Sequence, residues 1–261
     1  MGRREHPLSL SRTGRRIAYL LEDSNGKPDV VVRDVITDRV TPVSVTPSGR
    51  FGNGSSVDPS ISPDGRYVAF TSYASNLVPE DTDSQADLFL RDLRKGRTTL
   101  LSDYRGGPGA ARFAPDGRFL LSLEPTAAAY RYDIRTGKRT RVYHSRIRPP
   151  VSTTTDRGAR HLVTLAEVPG SPGRRGLSLL DLRTGKRQLI TVPVRGRRYL
   201  GESYGAVVSS NGRYVAFYST SDDLVKADKN GLIDVFVRDL RARKTMLVSR
   251  PTAHCRISLS R

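Results

Sequence analysis

Three short segments of the chain place oxygen-bearing side chains at the same relative positions, i, i+2 and i+6. The three sets are Asp23, Asn25 and Asp29; Asp81, Asp83 and Asp87; and Asp228, Asn230 and Asp234. Alternating carboxylate and amide oxygens in a tight loop are typical ligands of Ca²⁺. An EF-hand loop needs about a dozen residues and a distal bidentate glutamate, which these segments lack. The spacing therefore predicts either a weak Ca²⁺ site or an Asx-stabilised turn that leads into a strand, and no other cofactor.

Basic residues are concentrated in the middle of the chain. The net charge is +18, and between residues 131 and 200 there are 17 basic residues and four acidic ones. The candidate face for an anionic partner consists of Arg131, Arg135, Lys138, Arg139, Arg141, Arg195, Arg197 and Arg198. Such a face would attract a polyanion or an acidic protein, whereas the alternative is an arginine-rich solvated surface. No base-reading module is visible, so we expect no sequence-specific nucleic-acid recognition.

One serine lies in a G-x-S-x-G pattern, the nucleophile elbow of some hydrolases. The pattern runs from Gly201 to Gly205, with Ser203 at its centre. An elbow requires a strand before the serine and a helix after it, but residues 206–209 are apolar and predict a strand. The histidines show no spacing that would supply a base; they are His6, His144, His161 and His254. We therefore predict no catalytic residue and interpret Ser203 as a linker serine.

Two further residue types recur at corresponding positions along the chain. An arginine follows a glycine-containing turn at five places: Arg15, Arg66, Arg118, Arg160 and Arg213. An aspartate ends an apolar segment at five others: Asp34, Asp92, Asp133, Asp181 and Asp239. Because the pattern repeats throughout, we expect scaffold roles. The aspartates should accept backbone N–H bonds in the following turns, and the arginines should pair with carboxylates or carbonyls.

The recurrence belongs to a longer internal repeat. Residues 62–93 and 209–240 align without a gap over 32 positions, of which 16 are identical. The repeated apolar segments are short, rich in Val, Leu, Phe and Tyr, and lack a helical period. Asp64-Gly65, Asp116-Gly117 and Asn211-Gly212 predict hairpins with type I′ turns. In the second unit we predict strands at residues 59–62, 67–72, 88–92 and 98–102, which makes each unit a four-stranded antiparallel sheet.

Units of 40–55 residues built from four strands predict an all-β chain with the β-propeller fold. We expect one domain over residues 1–261 with five blades, at about 8–45, 59–103, 110–144, 151–192 and 206–250, and a tail at 251–261. The alternative is six blades, formed by joining the two ends of the chain. Such a protein is expected to be a monomer.

The segments SPDGRYVAF and DLFLRDL of the second unit resemble the PD-type, WD-repeat-like blade of the TolB-like propellers, a repeat family of bacterial type. The resemblance covers residues 7–250. It implies a propeller that binds a protein or ligand, often in the cell envelope. We therefore expect a non-catalytic scaffold for a protein or other anionic partner. The alternative is a small hydrolase or lyase that uses the propeller funnel, but the predicted inner strands carry only one titratable residue, Arg112.

Composition excludes several other classes of protein. The chain is 36% hydrophobic and 27% charged, which is typical of a folded domain, and its single cysteine, Cys255, cannot form an internal disulfide. No apolar run is long enough for a membrane span. As written, the sequence predicts a cytoplasmic protein, or an envelope or secreted protein if an upstream leader is missing.

Overall fold

A computed structural model of the chain describes residues 8–102, 110–124, 128–144 and 155–249. Within these ranges the secondary structure is entirely β, which confirms the all-β prediction. No helix in the described part of the chain has the length and apolarity needed to cross a bilayer. The strands are β1 (Ser9–Leu10), β2 (Arg16–Glu22), β3 (Pro28–Asp34), β4 (Val40–Pro42), β5 (Ser56–Ile61), β6 (Tyr67–Ser72), β7 (Asp87–Asp92), β8 (Arg97–Ser102), β9 (Ala110–Phe113), β10 (Phe119–Leu123), β11 (Ala128–Asp133), β12 (Lys138–His144), β13 (His161–Glu167), β14 (Arg175–Asp181), β15 (Arg187–Leu189), β16 (Ser203–Val208), β17 (Tyr214–Ser219), β18 (Asp234–Asp239) and β19 (Lys244–Leu247).

The strands form five antiparallel sheets in which neighbours in sequence are neighbours in space. Four sheets have four strands each, β1–β4, β5–β8, β9–β12 and β16–β19, and the fourth sheet along the chain is β13–β15. The start of the fourth predicted blade, residues 151–154, and the predicted tail, 251–261, lie outside the described residues. This topology is that of propeller blades, in which each hairpin-connected sheet is one repeat.

The hairpins between the first and second strands differ from the predicted type I′ turns. Gly65 has φ = 75°, whereas Asp64 is not among the residues with positive φ. The N–H of Gly65 donates to the carbonyl of Ser62 at 2.8 Å, and the Asp64 carboxylate accepts the N–H of Arg66 at 3.0 Å. A type I′ turn needs positive φ at both central residues, so that prediction was wrong. The aspartate side chain holds the turn, and only the glycine adopts the left-handed conformation.

Residue contacts divide the described chain into two compact units, 8–144 and 155–249. In the first unit, serine hydroxyls link the first strands of neighbouring sheets. Ser9 Oγ accepts the N–H of Ile61 at 3.0 Å, and Ser60 Oγ accepts the N–H of Phe113 at 3.2 Å. Serine is suited to this position because its hydroxyl is short enough to satisfy a backbone donor on the next strand.

Each unit contains an apolar core cluster with a stacked pair of phenylalanines. Phe70 and Phe89 stack in the first unit with ring centroids 5.6 Å apart, and Phe217 and Phe236 stack in the second at 5.7 Å. All four rings are fully buried. The paired rings come from the second and third strands of one sheet and occupy corresponding positions in the repeat.

Removal of either stacked ring should destabilise the fold strongly. We expect Phe70→Ala and Phe217→Ala each to lower the free energy of unfolding by about 3–5 kcal/mol, because both leave a cavity that the sheet cannot fill. Chemical denaturation of each variant measures this. Val207→Ala is the control, since Val207 is 53% exposed and its change should cost no more than about 0.5 kcal/mol. A loss below about 1 kcal/mol in both Phe variants would contradict the packing described here.

Candidate functional site

An arginine–aspartate pair joins two neighbouring strands in each of the five sheets. In the four-stranded sheets it joins the start of the second strand to the end of the third, and in the three-stranded sheet it joins the start of β13 to the end of β14. The pairs are Arg15–Asp34 at 2.8 Å, Arg66–Asp92 at 2.7 Å, Arg118–Asp133 at 2.6 Å, Arg160–Asp181 at 2.8 Å and Arg213–Asp239 at 2.7 Å. In each case the aspartate also accepts two N–H bonds from the turn that follows it. Both roles match the expected scaffold function of these residues.

Aromatic rings complete this arrangement in three of the sheets. Arg66 lies over Tyr67 at 4.7 Å, Arg118 over Phe119 at 4.7 Å, and Arg213 over Tyr214 at 4.8 Å from the ring centroid. In the fourth sheet the corresponding residue is His161, whose Nδ1 lies 3.0 Å from Asp156 Oδ2. The ring therefore supports the arginine in those three sheets and contacts a turn carboxylate in the fourth, which gives His161 a structural partner.

The pairs shift the pKa values of their carboxyl groups downwards. The hydrogen bond from Arg213, followed by the N–H of Ala242, lowers the pKa of Asp239 to about 2. The guanidinium of Arg160 likewise holds the pKa of Asp181 well below its usual range. A charged hydrogen-bond donor favours the ionised carboxylate, and here this effect exceeds the opposing effect of burial.

The first acidic loop contains its own cation. Lys27 Nζ lies 2.7 Å from Asp29 Oδ2 and donates to the carbonyl of Gly52 at 2.9 Å. Asp23 accepts the N–H groups of Asn25 and Lys27, each at 2.9 Å, as in an Asx turn. The ammonium group therefore contacts the buried carboxylate that the Ca²⁺ prediction assigned to a metal. Calcium binding at this loop stays a prediction, with the Asx turn as its alternative.

The second acidic loop brings its three carboxylates together. One oxygen from each of Asp81, Asp83 and Asp87 lies within 4.8 Å of the others, and Asp81 and Asp87 are buried. Asp83 is exposed, and its Oδ1 accepts the N–H of Gln85 at 2.8 Å. A cluster of three oxygen donors could contribute to a Ca²⁺ site completed by backbone or water oxygens. Calcium binding at this loop stays a prediction.

The third acidic loop has an amide at its middle position, and this amide contacts the last aspartate of the loop. Asn230 Nδ2 donates to Asp234 Oδ2 at 2.8 Å, and Asn230 Oδ1 accepts the N–H of Leu232. Asp228 is buried, and no group in the described part of the chain forms a hydrogen bond with its Oδ2. Burial raises the pKa of Asp228, and the nearby charge of Asp234 adds to this effect. The amide thus offers both of its polar groups to the protein, and Ca²⁺ binding here also stays a prediction.

Ser203 does not lie in a nucleophile elbow. It begins β16, so a strand follows it in place of the required helix. Its hydroxyl is hydrogen-bonded to the hydroxyl of Tyr199 at 2.8 Å, and the residue is 9% exposed. The corresponding serine of the second sheet, Ser56, is also buried and hydrogen-bonded to Ser72. Ser203 is thus a structural residue of the repeat, whereas His6 and His254 lie outside the described residues.

The predicted basic face is divided between the two units. In the first unit, Arg139 is engaged internally: it forms an ion pair with Glu124 and lies over the ring of Tyr130 at 3.8 Å. Arg131 is half-buried over the ring of Phe119 at 4.9 Å. The exposed remainder, which we call the basic edge, consists of Arg135, Lys138 and Arg141.

The other three predicted residues, Arg195, Arg197 and Arg198, are exposed and belong to the second unit. Arg197 Nη1 donates to the carbonyl of Asp222 at 3.2 Å. Arg197 and Arg198 line a shallow cavity of about 470 Å³ that also contains Asp222 and Asp223. Two aspartates therefore lie in the same cavity as these two arginines. Their negative charge reduces the net positive charge of this part of the predicted face, in contrast to the basic edge.

Two features were missed in the sequence. Asp58, with φ = 53°, lies within β5, which begins three residues earlier than predicted, and its charge acts on the partly buried Arg112 of β9. In the second unit, a groove between the fourth and fifth sheets is lined by six arginines and lysines. These six residues are separated by up to 83 positions in sequence. They share a groove because the fourth and fifth sheets are neighbours, which the spacing of the residues alone does not indicate.

Removal of one scaffold carboxylate should change the dependence of stability on pH. Because Asp239 has a pKa of about 2 in the folded protein and about 3.9 when unfolded, it stabilises the fold fully above pH 4. That contribution is lost as the pH falls towards 2. We expect Asp239→Asn to be less stable than wild type at pH 7 and to show a shallower decline in unfolding free energy between pH 4 and 2. Glu80→Gln, at an exposed carboxylate, is the control and should follow wild type. If the curves of unfolding free energy against pH were parallel for Asp239→Asn and wild type, they would contradict the lowered pKa assigned to Asp239.

Calorimetric titration with millimolar Ca²⁺ tests the second acidic loop. We expect wild type to bind with a dissociation constant of about 10⁻⁴–10⁻³ M, and Asp83→Asn to lose the binding heat because one of three carboxylates is neutralised. Asp23→Asn, in the loop that contains Lys27, should bind as wild type does. Loss of the heat in Asp228→Asn instead would assign the metal to the third loop. No heat and no change in melting temperature with wild type would exclude the prediction.

Comparison with known proteins places the sheet arrangement among β-propellers. No protein-family model matches the chain, and no curated protein matches it. Among solved structures, it is similar to TolB from Acinetobacter baumannii, with 18% identity and a TM-score of 0.57 over 94% of this chain and 55% of that one. The β-propeller domain of the trilobed protease from Pyrococcus furiosus has 17% identity and a TM-score of 0.58, with 93% of this chain and 71% of that one covered.

An oligogalacturonate lyase in complex with manganese gives a TM-score of 0.62 at 11% identity, with 92% of this chain and 64% of that one covered. The chain thus spans 55% to 71% of the length of these three proteins. At such low identities the likeness shows the fold and no activity. Together with the five antiparallel sheets, it confirms that the chain has a TolB-like β-propeller fold.

Proposed function

We propose that this propeller is a non-catalytic, monomeric scaffold that binds an acidic protein or other anionic partner through the basic edge. The observation that carries this proposal is the exposure of Arg135, Lys138 and Arg141. None of the three forms an ion pair with a carboxylate in the described part of the chain. Exposed cations without internal partners remain available to an external anion.

The carboxylates in the same sheet as the basic edge are already engaged. Residues 110–144 contain three acidic side chains, of which Glu124 pairs with Arg139 and Asp133 pairs with Arg118. The third, Asp116, accepts the backbone N–H of Arg118 at 3.0 Å. Lys138 lies opposite Asp133 in the β11–β12 register, yet the Asp133 carboxylate is bound by Arg118. The edge therefore keeps its positive charge.

Positive charge of this kind promotes association with acidic surfaces in general. It does not by itself select one particular partner. A positive edge increases the rate of encounter with an anionic partner and makes binding fall with salt. The TolB-like fold supports a role in binding, since propellers expose loops and sheet edges from a rigid scaffold. The identity of the partner would then depend on shape as well as charge.

The alternative is a small enzyme of the hydrolase or lyase type that uses the first strands of the blades. One of the similar structures is an oligogalacturonate lyase in complex with manganese, and Asp58 has the strained backbone often found at functional residues. In the described first strands β1, β5, β9 and β16, however, Asp58 and Arg112 are the only charged residues. A catalytic metal site usually has three protein ligands, so we favour the binding scaffold.

Retention on immobilised poly-glutamate tests the proposal. We expect simultaneous Arg135→Gln, Lys138→Gln and Arg141→Gln to elute at clearly lower salt than wild type, because three unpaired charges are lost. In a plot of log affinity against log salt concentration, the slope is negative. Its magnitude should be smaller by about two to three units in the triple variant than in wild type if all three residues contact the polyanion.

The matched control removes three exposed arginines from elsewhere in the same unit, by Arg39→Gln, Arg50→Gln and Arg94→Gln. It changes the net charge by the same amount, and we expect it to elute close to wild type. Equal shifts for the two triple variants would show that retention follows net charge alone and would overturn the proposed role of the basic edge.

A further inference from the structure

A basic groove of about 810 Å³ lies between the fourth and fifth sheets, inside the second unit. Its lining includes six cations: Arg160, Lys186, Arg187, Arg238, Arg241 and Arg243. The one carboxylate in the lining, Asp181, is paired with Arg160. A hydrogen bond of 2.8 Å from Gln188 Nε2 to the carbonyl of Leu240 connects the two walls. The groove therefore has a large excess of positive charge, and its two walls are joined by a side-chain hydrogen bond.

Arg238 is the unusual member of this set because it is buried. It is 7% exposed, and its Nη1 donates to Thr245 Oγ1 at 2.9 Å. Its Nε is buried and has no hydrogen-bond partner among the residues that the structure describes. The carboxylate next to it in sequence, Asp239, is paired with Arg213. A buried guanidinium normally has a carboxylate partner, and within the described residues Arg238 forms no ion pair.

The repeat provides two internal comparisons for this arginine. Arg33 and Arg91 occupy the same position in the third strands of the first and second sheets, one residue before the scaffold aspartate. Arg33 forms an ion pair with Asp38 in the following turn, whereas the equivalent turn residue of the second sheet is Gly96. In the fifth sheet that turn residue is Arg243. A position that is acidic or neutral in the first two sheets thus carries a second positive charge beside Arg238.

The backbone conformation at this turn position also disfavours arginine. The turn position has positive φ in all five sheets, and glycine occupies it in the second, third and fourth sheets, at Gly96, Gly137 and Gly185. Arg243 adopts φ = 54°, a conformation that side chains with a Cβ disfavour. Burial lowers the pKa of Arg238, and the charge of Arg243 lowers it further. An arginine here is unfavourable both for the backbone and for its neighbour, which points to a role outside the fold.

We propose that this groove binds a phosphate group, carried by inorganic phosphate or by pyrophosphate, between Arg238 and Arg243. Two guanidinium groups that line one groove, and that form no ion pair within the described residues, match the charge of about −2 and the three acceptor oxygens of such a group. A single carboxylate would leave one of the two positive charges uncompensated. The bound anion would take the place that Asp38 has beside Arg33 in the first sheet.

This site does not depend on the proposed function. It uses residues of the second unit only, and none of them belongs to the basic edge. A partner of the basic edge could be absent while phosphate binds in the groove, and the reverse also holds.

Calorimetric titration with inorganic phosphate and with pyrophosphate tests the proposal. We expect wild type to bind both, and Arg243→Gly to bind at least tenfold more weakly. Arg243→Asp should abolish binding, since it creates the ion pair found in the first sheet. Both variants should melt at or above the temperature of wild type in phosphate-free buffer, because each relieves the charge repulsion and places a tolerated residue at positive φ. Loss of binding could then not be attributed to unfolding.

Arg39→Gln removes one charge from the corresponding turn region of the first sheet and is expected to bind phosphate as wild type does, as is the triple variant of the basic edge. Citrate serves as the carboxylate probe and should bind more weakly than pyrophosphate. Absence of binding to wild type, equal binding by Arg243→Asp, or tighter binding of citrate than of pyrophosphate would each overturn the assignment to a phosphate group.

Discussion

The ion pair between the turn arginine and the strand-end aspartate is the interaction on which the local geometry of each sheet depends. In the four-stranded sheets it joins the start of the second strand to the end of the third, and the same aspartate also fixes the turn to the fourth strand through two N–H bonds. One carboxylate thus satisfies an arginine and two backbone donors that would otherwise lose hydrogen bonds at a strand end. Alteration of the aspartate would disturb two turns at once, which explains why the same residue pair occurs in all five sheets.

The sequence was sufficient to predict the elements that repeat. The 16 identities between residues 62–93 and 209–240 indicated two equivalent sheets, and the predicted second strand, 67–72, matches β6. The turn type was not predictable from the Asp-Gly pair alone. Both a type I′ turn and the observed turn use glycine at positive φ, and the difference lies in Asp64, whose side chain accepts the N–H of Arg66. Side-chain hydrogen bonding decided the conformation of the backbone there.

The three acidic loops show why spacing alone could not assign a metal. They share the same spacing of oxygen-bearing residues, but the side chains that contact the last aspartate differ. In the first loop Lys27, between the second and third of these residues, places an ammonium group on Asp29, and in the third loop the second of these residues, Asn230, donates to Asp234. The second loop has a carboxylate at all three positions, and one oxygen from each lies within 4.8 Å of the others. One cationic or amide side chain changes what the same loop contacts, and its direction is set by tertiary packing.

The repetition that stabilises the sheets also leaves some of their positions free to differ. The scaffold pair Arg213–Asp239 is retained in the fifth sheet, so the turn keeps its shape when the residue four positions after the aspartate changes. The third-strand arginine forms an ion pair with Asp38 in the first sheet and adjoins Gly96 in the second. In the fifth it adjoins Arg243. The same backbone therefore supports an internal ion pair, a neutral turn or two neighbouring positive charges, of which Arg238 is buried and Arg243 exposed. The local fold does not require the last of these arrangements, and an anion between the two guanidinium groups would compensate their charge as Asp38 compensates that of Arg33.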